Sequence, residues 1–226
     1  MFDNIYFGLL LTTLAYFIGL KINQKFKSPF LNPLLISMVI IVGFLLLFKI
    51  DLQMYLQGTT VFDLFLVVTS VALAVPFYKN FDIVKKNAIP LIGGGLVGSV
   101  VSVFSVLILG KLLAVDFEVI KAMMAKSITT GIAVPLITEL NGIVPLAAVS
   151  IVFTGLGGAV IGPVLLKALG VTDPISYGVA MGVTSHVTGT AKAAERGEEE
   201  AAFAGLSIAI AGLITVVIFP IALSLL

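Results

Sequence analysis

The sequence predicts an all-α integral membrane protein, and two observations predict it: the composition and the length of the apolar runs. Of 226 residues, 59% are hydrophobic and 11% are charged, whereas about a quarter of the residues in a soluble domain are charged. The apolar runs approach the roughly 20 residues that a helix needs to cross the hydrocarbon core of a bilayer. Because such runs are too long for the strands of a membrane barrel, helices are expected to span.

About seven or eight hydrophobic segments follow one another along the chain. They lie near residues 4–20, 31–48, 59–78, 88–110, 119–140, 143–169, 175–192 and 201–226. The second, fourth and eighth are interpreted as almost free of polar side chains, whereas the fifth and seventh combine Ser and Thr with Gly or Pro. Breakers at membrane depth are tolerated where the backbone is buried in protein or lines a wet cavity. The fifth and seventh segments are therefore predicted to be broken or re-entrant helices.

The chain is predicted to form one polytopic membrane domain over residues 1–226. Within it we expect N-terminal helices in 1–58, a first repeat core in 59–116 and a second repeat core, with the polar broken helices, in 117–226.

A faint internal repeat connects the two cores. Ala-Val-Pro occurs at 74–76 and again at 133–135, about sixty residues later. Each copy continues into a ladder of small residues, Gly94 and Gly98 in the first and Gly158 and Gly162 in the second. Three lysines follow the first Ala-Val-Pro and only Glu139 follows the second, so the copies are expected to face opposite sides of the membrane. This pattern predicts an inverted repeat, as in many secondary transporters; the alternative is chance similarity in apolar sequence.

The stretch KSITTGIAVP, residues 126–135, concentrates polar groups and helix breakers. Its members are Lys126, the hydroxyl residues Ser127, Thr129 and Thr130, and the predicted breakers Gly131 and Pro135. Proline removes a helical hydrogen bond and glycine loosens the turn, so the segment is predicted to unwind near Thr130. Free N–H groups at the start of its second half would then attract an anion. The alternative is that the hydroxyls bond to carbonyls of their own helix and pack helices closely.

The stretch TSHVTGTAK, residues 184–192, again combines hydroxyl residues with a helix breaker, and it contains the only histidine in the chain. Its candidate substrate-binding residues are Thr184, Ser185, His186 and Thr190, and Gly189 is its predicted helix break. Histidine has an ordinary pKa of about 6.5, so His186 could carry a proton with an anion or help to bind it; otherwise it packs against a hydroxyl. Lys126 and Asp63 are further candidates for charge or coupling, although Asp63 could simply be hydrated.

Composition excludes several other classes of function. The chain has no cysteine and one histidine, so neither a thiolate metal site nor a cage of several histidines can form, and no metal or cofactor is predicted. The formal charge of +1 gives no indication of nucleic-acid binding. No acid is placed to orient His186 beside a serine, so enzymatic hydrolysis is not predicted.

Four stretches of the chain resemble the LrgB/CidB family. They are KSITTGIAVP, GGAVIGPVLL, DPISYGVAMGVTSHVTGTAKA and ERGEEEAAFAGL. Members of that family commonly carry K-S-[VI]-T-T-P-I-A, A-V-I-G-P and S-H-x-x-G-T-A-[KR]-A. The likeness covers nearly the whole chain and is strongest from Lys126 onward. Gly131 stands where proline is usual and Thr188 where glycine or isoleucine is usual, so this site is more flexible or more polar than the family pattern.

The resemblance implies two different functions. One is antiholin-like regulation of murein hydrolase activity and lysis, together with a small membrane partner of the LrgA/CidA type. The other, implied by related bacterial and plastid proteins, is transport of pyruvate, glycolate or glycerate. Breakers and hydroxyl clusters in two segments favour the second, because selective binding of an anion needs them. We therefore predict a secondary transporter of small monocarboxylates in the bacterial plasma membrane, working by alternating access, with His186 tuning charge or carrying a coupled proton. The chain is expected to act as a homodimer, with TSHVTGTAK facing KSITTGIAVP in mid-membrane.

Overall fold

The fold is described by a computed structural model over residues 5–26, 31, 33–72, 74–79 and 81–225. These residues contain eleven α-helices and one π-helical turn, with no strand among them. The predicted all-α membrane fold is confirmed. Four described helices are long and apolar enough to cross a membrane, Tyr6–Phe26, Ile89–Leu112, Val144–Ala168 and Glu198–Leu223, and each coincides with a predicted segment.

The first of two compact units extends from Met1 to Val68. It contains α1 (Ile5–Phe26), α2 (Pro33–Leu47) and all but the end of α3 (Leu52–Ala72). The Thr12 hydroxyl and the Tyr55 hydroxyl are 2.7 Å apart and tie α1 to α3. The unit ends ten residues after the predicted boundary at 58. Asp63 belongs to α3, but its side chain lies outside the described part of the structure, so its predicted role in coupling stays a prediction.

The second unit, Thr69–Leu226, contains both polar stretches. Its helices are α4 (Ala74–Lys79), α5 (Phe81–Lys86), α6 (Gly94–Leu112, preceded by the π-helical turn Ile89–Gly93), α7 (Phe117–Met124), α8 (Thr130–Glu139), α9 (Val144–Ala168), α10 (Pro174–Ala194) and α11 (Glu198–Leu223). Helix α10 packs against α6, α9 and α11. It is the most polar of these long helices, so enclosing it on three sides keeps its hydroxyls among protein groups.

Glycines on α9 allow it to approach α10 closely. A methyl group at Gly158 would overlap the hydroxyl oxygen of Ser185, and one at Gly162 would lie 2.8 Å from the sulfur of Met181. Residue numbers rise along α10 while they fall along α9, so the two helices are antiparallel. Small residues at such contacts are the usual means of close packing between membrane helices.

Glycines on α6 also allow a close approach to α10, but α6 runs parallel to α10 where α9 runs antiparallel. A methyl group at Gly94 would lie 2.6 Å from Cγ1 of Val179, and one at Gly98 would overlap Cγ1 of Val183. Here residue numbers rise together, so α6 runs parallel to α10. The two glycine ladders therefore run in opposite directions along one helix, as an inverted repeat requires; the repeat itself stays a prediction.

Glycines of α10 pack directly against backbone carbonyl groups of α11. A methyl group at Gly178 would lie 2.5 Å from the carbonyl oxygen of Glu200, and one at Gly182 would overlap the carbonyl oxygen of Ala204. Since a backbone carbonyl in a helix cannot rotate away, only glycine fits at these two positions.

The exposed start of α10 is capped by Asp173. Its carboxylate accepts hydrogen bonds from the hydroxyl of Ser176 at 2.6 Å and from the backbone N–H of Ser176 at 2.7 Å. These two bonds, the hydroxyl first, hold the pKa of Asp173 below its ordinary value. The charged form of this residue is therefore part of the folded α10 terminus.

Candidate functional site

The first polar stretch is broken between α7 and α8. Helix α7 ends at Met124 and α8 begins at Thr130, so residues 125–129 leave the helix. Thr129 is extended, with φ −66° and ψ 146°, and its carbonyl accepts the first bonds of α8. The predicted break is therefore confirmed, but it precedes Thr130. Gly131 and Pro135, named as the breakers, lie inside α8, where a proline bends a helix without ending it.

The second polar stretch is broken at His186. The backbone of this residue has φ 41° and ψ −128° within the otherwise helical α10. That conformation is close to the first central position of a type II′ turn, which normally requires glycine. Gly189, the predicted break, lies three residues beyond the kink. Its Cα faces the Met181 carbonyl so closely that a methyl group there would overlap it, so Gly189 accommodates the kink at His186.

A hydrogen bond joins the two breaks. His186 Nε2 lies 3.2 Å from the carbonyl oxygen of Lys126, sixty residues away along the chain. Because a carbonyl can only accept, Nε2 carries the hydrogen of this bond. The ring is buried, and its bond fixes the main chain of Lys126 in the middle of the first break. The predicted proximity of TSHVTGTAK and KSITTGIAVP is thus present in the structure.

Lys126 directs its ammonium group toward two serines. Its Nζ donates to Ser127 Oγ at 2.9 Å and to Ser102 Oγ at 3.3 Å. The hydroxyl of Ser102 in turn donates to Ser127 Oγ at 2.8 Å. Ser127 Oγ accepts two bonds, which leaves its own hydrogen to donate, and the ammonium of Lys126 retains a third hydrogen. None of the ion pairs in the described part of the chain includes Lys126.

A cavity of about 490 Å³ opens beside this group. Its polar lining consists of Ser102, Ser105, Lys126, Ser127, Thr154 and Thr184. Its apolar lining comes mainly from α9 and α10, with α6 forming the remaining wall. A half-buried cation, with hydroxyl donors beside it and no acidic partner among the described residues, is a suitable receptor for one carboxylate group.

The predicted site residues are divided by the structure into three groups. Lys126, Ser127 and Thr184 line the cavity. Ser185 and His186 are buried next to it, with Ser185 against Gly158 and His186 on the Lys126 carbonyl. Thr129, Thr130 and Thr190 do not line it. The hydroxyl of Thr190 donates to the His186 carbonyl of its own helix at 3.1 Å, as expected if this hydroxyl serves helix packing. The hydroxyl of Thr184 also donates to a carbonyl of its own helix, that of Ala180, at 2.7 Å.

Three polar residues of the lining were not predicted from the sequence: Ser102, Ser105 and Thr154. The fourth segment, interpreted as almost free of polar side chains, in fact carries Ser99, Ser102 and Ser105 on α6. Their spacing of three residues was the available signal, because residues three apart lie on one side of a helix. That side faces α11 at Ser99, whose hydroxyl donates to the Ala211 carbonyl at 3.3 Å, and the cavity at Ser102.

The chain is similar to known proteins along nearly its whole length. Residues 12–225 match the LrgB-like family. YxaC of Bacillus subtilis strain 168, named an uncharacterized protein, is 34% identical over 200 residues, covering 88% of this chain and 87% of that protein. The antiholin-like protein LrgB of Bacillus cereus strain B4264 is 33% identical over 216 residues, covering 95% and 94%. The antiholin-like protein LrgB of Bacillus anthracis strain CDC 684 / NRRL 3495 has the same identity and coverage. No solved structure matches this chain.

Proposed function

The chain belongs to the LrgB-like family, and for this member we propose secondary transport of small monocarboxylates, of the pyruvate, glycolate and glycerate class, across the bacterial plasma membrane. The observation that carries the proposal is the ammonium of Lys126, which borders the cavity and has no acidic partner in the described part of the chain. A single unpaired cation balances a single carboxylate, which favours monocarboxylates over dicarboxylates.

The carboxylate would receive the third N–H of Lys126 and the O–H of Ser127. Both donors are already oriented by the bonds that connect them to each other and to Ser102. Pre-oriented donors bind with a smaller loss of side-chain freedom, so this arrangement suits selective binding. Helix breaks beside the donors supply the irregular backbone that transporters place at their midplane sites.

Proton coupling through His186 is the second part of the proposal. Nε2 donates to the Lys126 carbonyl, so an added proton would enter at Nδ1 and leave that bond intact. The charge beside the main chain of Lys126 would then change without any loss of the connection between the two breaks. An anion bound at Lys126 would respond to this charge, and carriage of the anion and the proton would be linked.

The test is uptake of labelled pyruvate, glycolate and glycerate into proteoliposomes that contain the full chain. Lys126→Gln should raise the half-saturating concentration roughly tenfold to a hundredfold, because a hydrogen bond to a charged group contributes about 1.5–3 kcal/mol. Lys86→Gln, at an exposed lysine that does not line the cavity, is the matched control and should transport like the wild type. Wild-type uptake by Lys126→Gln would refute the proposed binding site.

A matched pair of serines tests the hydroxyl donor. Ser127→Ala should weaken uptake about tenfold. Ser150→Ala should not, because the Ser150 hydroxyl bonds to the Ala147 carbonyl of its own helix at 2.8 Å. An imposed pH gradient should accelerate uptake by the wild type and not by His186→Ala. Acceleration of uptake by both would refute the role of His186 in proton coupling.

The competing candidate is antiholin-like regulation of cell lysis with a small membrane partner. The names of the Bacillus cereus and Bacillus anthracis relatives, antiholin-like protein LrgB, favour this candidate. A regulator needs helix surfaces that associate and no binding site for an anion. It predicts no saturable uptake, with or without the partner, and normal lysis control in Lys126→Gln. Saturable uptake that depends on Lys126 would therefore decide for transport.

A further inference from the structure

The cavity beside Lys126 has two chemically different ends. Its polar end lies where Ser102 of α6 bonds to Lys126 and Ser127. Ser105 of α6, Thr154 of α9 and Thr184 of α10 complete the polar lining. Its apolar end is lined by the residues that follow toward the end of α9 and by the facing part of α10. These are Ile161, Leu165 and Leu166 with Ala180, Met181 and Val183. A ligand bound to Lys126 therefore has an apolar wall along the rest of its length.

The size of the cavity exceeds what a three-carbon acid fills. On α9 the lining runs from Thr154 to Leu166, which at 1.5 Å per residue is a length of about 18 Å. The volume of about 490 Å³ lies in the range of about 300–1,000 Å³ that accommodates drug-sized ligands. A carboxylate with a two-carbon tail would occupy only the polar end, and the apolar end would be left to a longer tail.

We propose that the apolar end is a subsite for an aliphatic tail, so that the preferred ligands are monocarboxylates with an unbranched chain of more than three carbons and an oxo or hydroxyl group next to the carboxylate. The inference rests on the proposed function, because the same Lys126 holds the carboxylate. The free N–H of Lys126 and the O–H of Ser127 match the polar head of such an acid, and Ile161 and Leu165 match its tail. Tail burial removes apolar surface from water, so affinity rises with chain length.

The test is the affinity of the full chain, in lipid nanodiscs, for pyruvate, oxobutanoate, oxopentanoate and oxohexanoate, each with the oxo group beside the carboxylate. Nanodiscs are used because detergent would occupy an apolar cavity. Equilibrium dialysis of each labelled acid, corrected with protein-free nanodiscs for partition into lipid, gives the Kd. The Kd should fall up to about fourfold per added methylene. A Kd that stays constant or rises along the series would overturn the subsite.

Variants on α9 locate the tail. Ile161→Ala and Leu165→Ala should each reduce the gain per methylene to less than about twofold, because each removes part of the apolar wall. Val164 lies on the same helix and is exposed, as Ile161 and Leu165 are, but it does not line the cavity, so Val164→Ala should keep the wild-type gain. If Ile161→Ala and Leu165→Ala kept the same gain in affinity per methylene as Val164→Ala, the tail would lie elsewhere and the inference would be overturned.

The head group needs its own control. Hexanol, which has a tail without a carboxylate, should fail to displace labelled oxohexanoate, and Lys126→Gln should weaken all four acids alike. Displacement by hexanol at equal concentration would show simple apolar binding and overturn the inference. Saturable pyruvate uptake with a flat Kd series would refute the tail subsite and leave the proposed function standing, whereas no saturable binding of any acid would refute both.

Discussion

Replacing Gly158 by alanine is expected to destabilise the chain, whereas the same replacement one residue earlier, at Gly157, is expected to stabilise it. A methyl group at Gly158 would overlap Ser185 Oγ and lie 2.9 Å from Ser185 Cβ. A methyl group at Gly157 meets nothing within 4 Å. The two glycines are neighbours in the middle of α9, so they differ mainly in what their side chains would touch.

The magnitude follows from two terms. Alanine stabilises a helix interior relative to glycine by about 0.5–1 kcal/mol, and this gain is common to both positions. Overpacking against a closely fitted neighbour costs about 1–3 kcal/mol, and this cost applies only at Gly158. Rotation of the Ser185 side chain would relieve the overlap with its oxygen but not the contact with its Cβ. We therefore expect Gly158→Ala to be less stable than Gly157→Ala by about 1–3 kcal/mol.

The assay is unfolding of the purified chain in mixed micelles titrated with SDS, followed by circular dichroism. A double-mutant cycle adds Ser185→Ala, which removes the overlapping oxygen and should recover part of the loss in Gly158→Ala and none in Gly157→Ala. Equal stability of Gly157→Ala and Gly158→Ala would refute the close contact of α9 and α10. An absence of coupling between Gly158 and Ser185 would show that some other neighbour resists the methyl group.

Three further predictions concern α10. His186→Gly should be more stable than His186→Ala by about 1–2 kcal/mol in the same unfolding assay, since glycine adopts φ 41° without strain and both variants lack the ring; equal stability would exclude strain at the kink. Gly182→Ala should prevent α10 from packing on the Ala204 carbonyl and reduce the yield of folded protein, whereas Gly205→Ala, where a methyl group meets nothing within 4 Å, should fold normally; comparable yields on size-exclusion chromatography would contradict this. The pKa of Asp173 is lowered in the folded chain, so its contribution to stability is present above its unfolded pKa and is lost as the pH falls through the folded value. Asp173→Asn keeps a capping oxygen but cannot titrate, so its stability should change less than that of the wild type between pH 6 and pH 3, roughly the range around the ordinary aspartate pKa; parallel profiles would contradict the lowered pKa.

The helical segments could be predicted from the sequence because the bilayer imposes one requirement on all of them. A run of apolar residues must be long enough to satisfy its backbone within a helix, and such runs are visible residue by residue. The ends of α6 at Leu112 and of α9 at Ala168 accordingly fall within two residues of the predicted ends at 110 and 169. The two broken elements were also predicted from clusters of hydroxyl, Gly and Pro residues, although the named breakers Gly131, Pro135 and Gly189 lie in helical stretches beside the breaks.

The positions of the breaks and part of the cavity were not predictable in this way. A kink at His186 depends on contacts of Gly189 with the Met181 carbonyl and of the ring with the Lys126 carbonyl, and no local propensity encodes them. Ser102 was overlooked because a serine among valines commonly bonds to its own helix. Only its pairing with Ser127, from another helix, makes it a site residue.

The neighbours of α10 differ in how easily their contacting atoms can move. Toward α11 its glycines face carbonyl oxygens, which have no torsion by which to yield. Toward α6 and toward the Gly162 part of α9 the nearest neighbours are side-chain atoms, Cγ1 of Val183 and the sulfur of Met181, which can shift more readily than a helix carbonyl. We therefore expect α10 and α11 to move together, and we expect a movement that widens or narrows the space beside Lys126 to be a displacement of α6 or α9 relative to α10. A crosslink between α10 and α11 should leave that movement free, whereas crosslinks from α10 to both α6 and α9 should arrest it.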